Sequence, residues 1–312
     1  MRMLSPTGFA RAQDYLHLHA RPLEKALFSL EFEGGSVDQV LAELQKYQNA
    51  DGGFGLALEP DLRTPKSSAL CTELGLRFLA ERNTPTEHSM VKAAVKYLLD
   101  IFETDTQVWR VIPDDANDDP HAPWWQDDHG SLAQRFDEFL VIPRAGILAS
   151  LNYYVELVPS DWLASITEQT VKSIENLEVE SFGQGGDTLV YALRLADSPG
   201  LAPHLRASLY PFLMEIADTV VARDPDDWSG YAAPPLKFVL SPLSPLADLF
   251  ADELQGYLDY LIDQQTTIGT WEPTWNWGEL YPADWAAAKQ EWCGILTLET
   301  LIALRTFGRL AS

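Results

Sequence analysis

The 312-residue sequence predicts an all-α protein, and three observations carry that expectation. Apolar residues recur at helical spacing through most of the chain, strand signals are nearly absent, and helices with one wet face alternate with helices that have none. A composition of 46% hydrophobic and 11% aromatic residues supplies a sizeable core for such helices.

Residues 9–19 and 23–32 read as a first helical pair. After Ser36, placed as an N-cap, the residues Val37, Val40, Leu41, Leu44 and Tyr47 mark an amphipathic helix running to about residue 48. A Gly/Pro-rich loop follows, and then 67–79 is apolar almost all round, as a helix covered on both sides is. The alternation continues with 87–103 and 144–158, 161–176 and 187–196, 202–221 and a short piece at 235–240, and 250–265 and 291–306. A hairpin that cannot bury its apolar helix alone must stack on neighbours, so about six hairpins in two layers form one domain over 1–312. Leu70, Leu74, Leu193, Ile295 and Leu298 are then expected to be nearly fully buried in the inner layer.

Charge excludes several partners. With 22 Lys+Arg against 46 Asp+Glu, the net charge of −24 repels nucleic-acid backbones and anionic lipid surfaces. An anionic small molecule is repelled as well, unless divalent cations or a local group of basic side chains reverses the field. Cys71 and Cys293 lie in separate apolar helical runs and read as buried thiols, outside any disulfide or zinc pattern. No apolar stretch reaches the ~18 residues of a spanning helix, so the sequence predicts a soluble, cytoplasmic protein; its oligomeric state is not legible.

The junctions between helices repeat too. Gln48-Asn49-Ala50-Asp51-Gly52-Gly53-Phe54 and Gln265-Thr266-Thr267-Ile268-Gly269-Thr270-Trp271 both read Q-x3-G-x-(F/W) at the end of an amphipathic helix. Segments 103–109, 176–182 and 222–228 keep only the aromatic residue, as Trp109, Phe182 and Trp228. These elements resemble the QW repeats of squalene–hopene cyclases and their relatives. The hairpin array resembles the α/α toroid that those enzymes share with the β subunits of protein prenyltransferases. The resemblance spans nearly the whole chain and has two full repeats. It implies an α6/α6 barrel of two concentric layers, with Gln48 and Gln265 tying helix ends while Phe54 and Trp271 pack between repeats. It also implies that an apolar, isoprenoid-like molecule binds in a central cavity, with cyclase or lyase chemistry where catalytic groups are in place.

Class II cyclases of that superfamily protonate an alkene with the middle acid of D-x-D-D. Asp224-Pro225-Asp226-Asp227 matches the motif but ends an outer helix, where it reads as a solvated acidic loop. Asp187, at Gly186-Asp187-Thr188, holds the inner-helix position and is either a helix cap or a lone catalytic acid. Class I chemistry instead needs carboxylates that hold Mg²⁺ on a diphosphate. Asp114-Asp115-Ala116-Asn117-Asp118 is a formal D-D-x-x-D, though Pro113 and Pro120 place it in a loop rather than on a helix. It makes Asp114, Asp115 and Asp118 candidate Mg²⁺ ligands, and Asp115, Asp118 and His121 candidate catalytic groups. Trp109, Trp124 and Trp125, with Asp127, Asp128 and His129 nearby, are either a pocket wall or packing.

A second aromatic cluster, Trp271, Trp275, Trp277, Tyr281, Trp285 and Trp292, is interleaved with Glu272, Glu279, Asp284 and Glu291. Aromatic faces steady carbocations and also stack on sugars, and paired carboxylates serve glycosidic chemistry. Trp275, Trp277, Tyr281 and Glu279 are therefore candidate ligand contacts. A carbohydrate-active toroid is a second functional reading, and a non-catalytic ring that binds a ligand or protein is a third. Nothing reproduces the Asp/Cys/His zinc spacing of the prenyltransferases, which excludes that activity.

Overall fold

In the computed structural model, residues 1–128, 131–132, 141–183 and 185–311 are described. Among them lie eleven α-helices and, apart from isolated bridges, no strand. The helices are α1 (Pro6–His19), α2 (Pro22–Phe32), α3 (Val37–Leu44), α4 (Ala69–Glu81), α5 (Ser89–Asp100), α6 (Arg144–Tyr153), α7 (Ser160–Glu175), α8 (Asp187–Asp197), α9 (Pro203–Val220), α10 (Ala251–Asp263) and α11 (Pro282–Thr306). Local chemistry sets several starts. Ser5 accepts the Gly8 N–H at 3.0 Å ahead of Pro6, and Ser68 accepts the Cys71 N–H at 3.0 Å at the head of α4. The helix expected at 235–240 is only the 3₁₀ turn Pro235–Lys237, because Pro234 and Pro235 supply no N–H donors. Among the described residues no helix is long and apolar enough to cross a membrane. Both cysteines are free and buried.

The chain divides into two compact units, Leu44–Thr219 and Met1–Glu43 with Val220–Ser312. In the first, α6 packs beside α4 and α8, while α5 lies on α4 and α7 on α6. Burial follows the predicted alternation. α5 covers Met90, Val91, Ala94, Val95 and Leu98 on one face, whereas α4 buries Ala69 to Glu73 together with Gly75, Leu76 and Leu79. Each of the three dry helices still leaves one stripe half-buried: Leu74, Arg77 and Phe78 on α4, Ala149 and Tyr153 on α6, and Val190, Tyr191 and Arg194 on α8. Leu70 and Leu193 are buried as expected. Leu74 is not, because neighbouring helices cover the other sides of α4 and leave its stripe uncovered.

In the second unit α1, α2 and α11 pack against one another, and α10 lies against the 3₁₀ turns Pro225–Ser229 and Pro235–Lys237. Leu298 is buried, whereas Ile295 is only half-buried, and α11 is wetter than the all-apolar pattern predicts, with Gln290, Glu299 and Arg305 exposed. Arg309 is fully buried and secures both chain ends to α10, donating to the Arg2 carbonyl at 2.6 Å, to Asp259 at 2.5 Å and to the Gln255 amide oxygen at 2.7 Å.

The two full junction repeats have one geometry. Gln48 donates to the Gly52 carbonyl at 2.8 Å and the Met90 carbonyl at 3.0 Å; Gln265 donates to the Gly269 carbonyl at 3.1 Å and the Gly8 carbonyl at 2.9 Å. Each amide thus ties its own loop to the first turns of another helix, α5 or α1. The Phe54 N–H donates to Thr72 at 2.9 Å, and the Trp271 N–H donates to Thr297 at 3.2 Å. Trp109, Phe182 and Trp228 are all buried at the partial repeats. The indoles of Trp109 and Trp228 donate to the Leu98 and Ala222 carbonyls at 2.7 and 2.8 Å. At the Trp109 junction an arginine does the tying: Arg144 of α6 reaches the Gln107 carbonyl at 2.9 Å and Thr170 at 2.7 Å. Burial pulls its guanidinium pKa down to about 10.

Removing either amide deprives two carbonyls of their donor, so Gln48→Ala and Gln265→Ala are each expected to cost about 1–2 kcal/mol. Urea titration of the two variants checks this. Equal losses are expected because the two amides make equivalent bonds, and a loss below about 0.3 kcal/mol at either site would contradict the clamp role.

Candidate ligand-binding site

The acidic loop directs its carboxylates to separate partners. Arg110 donates to Asp114 at 2.6 Å and to Glu103 at 2.6 Å, while Asp115 pairs with Lys66. The hydrogen bond from Lys66 holds the Asp115 carboxyl below its ordinary range, and the same contact raises Lys66. Asp118 is exposed. Among the described residues no group of three or more His, Cys, Asp or Glu side chains is placed to hold a metal ion. Asp114 and Asp115 thus engage different cations.

His121 is buried, with Nδ1 2.6 Å from the Asp119 carbonyl and Nε2 2.8 Å from the Gln126 amide oxygen. Trp125 is buried and Trp124 half-buried, while Trp109 is packed against Phe102 and edge-on to Trp162. His129 lies outside the described residues. Asp224 to Asp227 are exposed, as a solvated loop requires. Asp187 is not the cap of α8. Gly186, with φ +68°, takes that position, and Asp187 is the first helical residue. In the other unit Trp277 is fully buried against Trp285, Trp275 and Tyr281 are half-buried, Trp275 stands edge-on to Trp292, and Glu279 is exposed.

A buried carboxylate with two nearby arginines lies elsewhere, on α4 and α8. Glu73, in the second turn of α4, is only 1% exposed. Its Oε1 lies 3.8 Å from Arg77 one turn along α4 and 3.8 Å from Arg194 of α8, and its Oε2 is 3.5 Å from the Tyr191 hydroxyl. α6 runs between these two helices and leaves room for them to meet because residue 146 is glycine. A Cβ there would stand 2.6 Å from Glu73 Oε1. Arg194 lies over the Tyr191 ring at 4.9 Å, and Arg77 lies 5.9 Å from the Phe78 ring centroid. Burial, and after it the charge of Glu73, raises the Tyr191 pKa, so the phenol stays protonated as a donor near neutral pH.

Two features set this cluster apart from the ion pairs on the protein's surface. Many of those surface pairs close to hydrogen-bond distance, as Arg223–Glu253 does at 2.6 Å. Glu73 Oε1, in contrast, is buried without any hydrogen bond. Arg194, 30% exposed, makes no hydrogen bond among the described residues and meets only the Glu73 carboxylate and the Tyr191 ring. Arg77 also donates to Glu81 at 3.5 Å, and Leu74, Phe78, Ala149, Tyr153 and Val190 on the same three helices are half-buried. The one sequence signal for the cluster was a charged pair, Glu73 and Arg77, inside a helix otherwise apolar on every side. Comparison of the chain with protein-family models, curated proteins and solved structures finds no match.

Proposed function

We propose that the protein binds an isoprenoid-like small molecule against the uncovered stripes of α4, α6 and α8. We further propose that its hairpins are repeats of an α/α toroid of the terpene-cyclase type. The observation that carries the ligand reading is the stripe itself. Three adjacent helices that bury most of their other residues leave Leu74, Phe78, Ala149, Tyr153 and Val190 half-buried, and we take these apolar side chains as the wall on which the ligand lies. The toroid reading is supported by the alternation of dry and one-faced helices and by the same amide clamp at Gln48 and Gln265. Cyclase or lyase chemistry is a further step, for which Asp187, the first residue of α8, is the candidate acid on these three helices.

The carbohydrate reading has less support, because Trp277 is fully buried and has no ring face to offer a sugar. Equilibrium dialysis with farnesol and with a neutral oligosaccharide separates the two. Farnesol is expected to bind wild type and to bind Leu74→Asn or Val190→Asn about tenfold more weakly, each losing about 1–2 kcal/mol of apolar contact. Binding of the oligosaccharide in place of farnesol would overturn the proposal.

A further inference from the structure

We infer that a groove on α1, beside the Gln265 junction, binds a small zwitterion with an apolar side chain, of the α-amino acid class. The groove shares no residue with the wall proposed above. The two clamps place two cavities by the same rule. Gln48 holds the Met90 carbonyl of α5, and Gln265 holds the Gly8 carbonyl of α1. Seven and eleven residues further along stand Tyr97 and Ile101 in the first case, and Tyr15 and His19 in the second. Tyr97 and Ile101 line a cavity of about 240 Å³ with Glu103, Arg110 and Asp114. Tyr15 and His19 line one of about 300 Å³ with Arg11, Asp14, Leu18 and Ile268, a size at the lower end of small-molecule sites.

The two cavities differ in how their charges are used. In the first the chain's own carboxylates take the guanidinium, since Arg110 donates to Glu103 and to Asp114, each at 2.6 Å. In the second, among the described residues, Arg11 meets no carboxylate and donates only to the Gln265 amide oxygen at 3.2 Å, and the Asp14 side chain has no hydrogen-bonding or ionic partner. In a chain with 46 acids against 22 bases, such a guanidinium is left for a carboxylate from outside, which its paired N–H groups match. Asp14 lies three residues along the same helix, at the spacing where side chains are neighbours, and it receives an ammonium carried close to that carboxylate. A simple anion is repelled by Asp14 and by the net charge of −24, and a simple cation gains nothing from Arg11. The rest of the ligand is apolar, because Leu18 and Ile268 line the groove at 71% and 60% exposure and only an apolar occupant gains by covering them. Tyr15 and His19 add two rings whose centroids are 5.1 Å apart. Burial, and after it Cys293, to which its hydroxyl is bonded, raises the Tyr15 phenol to about 12, so it brings a neutral face to the groove.

Isothermal titration of the full chain with phenylalanine, 3-phenylpropanoate and phenethylamine tests the inference, the second probe lacking the ammonium and the third the carboxylate. Phenylalanine is expected to bind wild type in the millimolar range, about fivefold more tightly than either relative. Asp14→Asn is expected to remove the preference over 3-phenylpropanoate, and Arg11→Met the preference over phenethylamine. Because Arg11 also touches the clamp glutamine, circular dichroism accompanies each variant. Ile268→Ser, whose side chain makes no hydrogen bond in the native protein, keeps the test available if Arg11→Met does not fold, and it is expected to weaken all three probes about threefold. Absence of phenylalanine binding to wild type, equal binding of the three probes, or unchanged preferences in the folded Asp14 and Arg11 variants would overturn the inference.

Discussion

Gly52→Ala and Gly269→Ala are each expected to lower stability by about 3 kcal/mol or more, through backbone strain and steric overlap together. Both glycines are at nearly the same left-handed conformation, with φ +94° and +93°. A Cβ on Gly52 would stand 2.5 Å from the Ala93 carbonyl oxygen of α5, and one on Gly269 would stand 2.5 Å from the Arg11 carbonyl carbon of α1. In both cases the obstacle is backbone, three residues beyond the carbonyl that the clamp glutamine holds. Gly183→Ala is the control. Its φ is +64° and nothing lies within 4 Å of its missing Cβ, so it carries the conformational cost alone, about 1 kcal/mol. Urea denaturation of the three variants measures the difference. Equal losses at all three positions would show that the close approach at the junctions has no energetic weight.

The second large effect is expected at Glu73. Glu73→Ala removes the carboxylate that Arg77 and Arg194 share, leaving Arg77 its pair with Glu81, and opens space among α4, α6 and α8. Removing one partner of a buried ion cluster costs about 3–5 kcal/mol, and the partial exposure of the arginines reduces that to about 2–3 kcal/mol. Added salt is expected to restore part of the loss by screening the two guanidiniums. Replacing all three charges, as Glu73→Leu with Arg77→Met and Arg194→Met, is expected to restore stability to near wild type or above it. A Glu73→Ala protein as stable as wild type at low salt would contradict this assignment.

The junctions were legible in the sequence because their requirements are local. An amide four residues before a glycine at positive φ, with an aromatic two residues further on, fixes a loop by short-range geometry, so Gln48 and Gln265 are found where the pattern places them. The alternation of dry and one-faced helices was legible for the same reason, since it depends only on the period of apolar residues. Which stripe of a dry helix remains uncovered is a tertiary fact. That is why Leu74 and Ile295, indistinguishable in sequence from Leu70 and Leu298, are half-buried.

The Glu73 cluster was hidden for a related reason. Glu73 and Arg194 are far apart in the chain and meet only because α4, α6 and α8 pack side by side with a glycine at the crossing point. The acidic loop stood out because it concentrates aspartates in a few residues. The cations that engage Asp114 and Asp115 come from Arg110 and Lys66, and a linear sequence does not show those pairings.

Photocrosslinking with a benzophenone-bearing prenyl alcohol, followed by mapping of the labelled peptides, tests the central claim most directly. Label is expected on peptides from Ala69–Glu81, Arg144–Tyr153 and Asp187–Asp197, and excess farnesol is expected to compete it away. Label confined to the tryptophan-rich segment 271–292, or label that excess farnesol does not displace, would contradict the account.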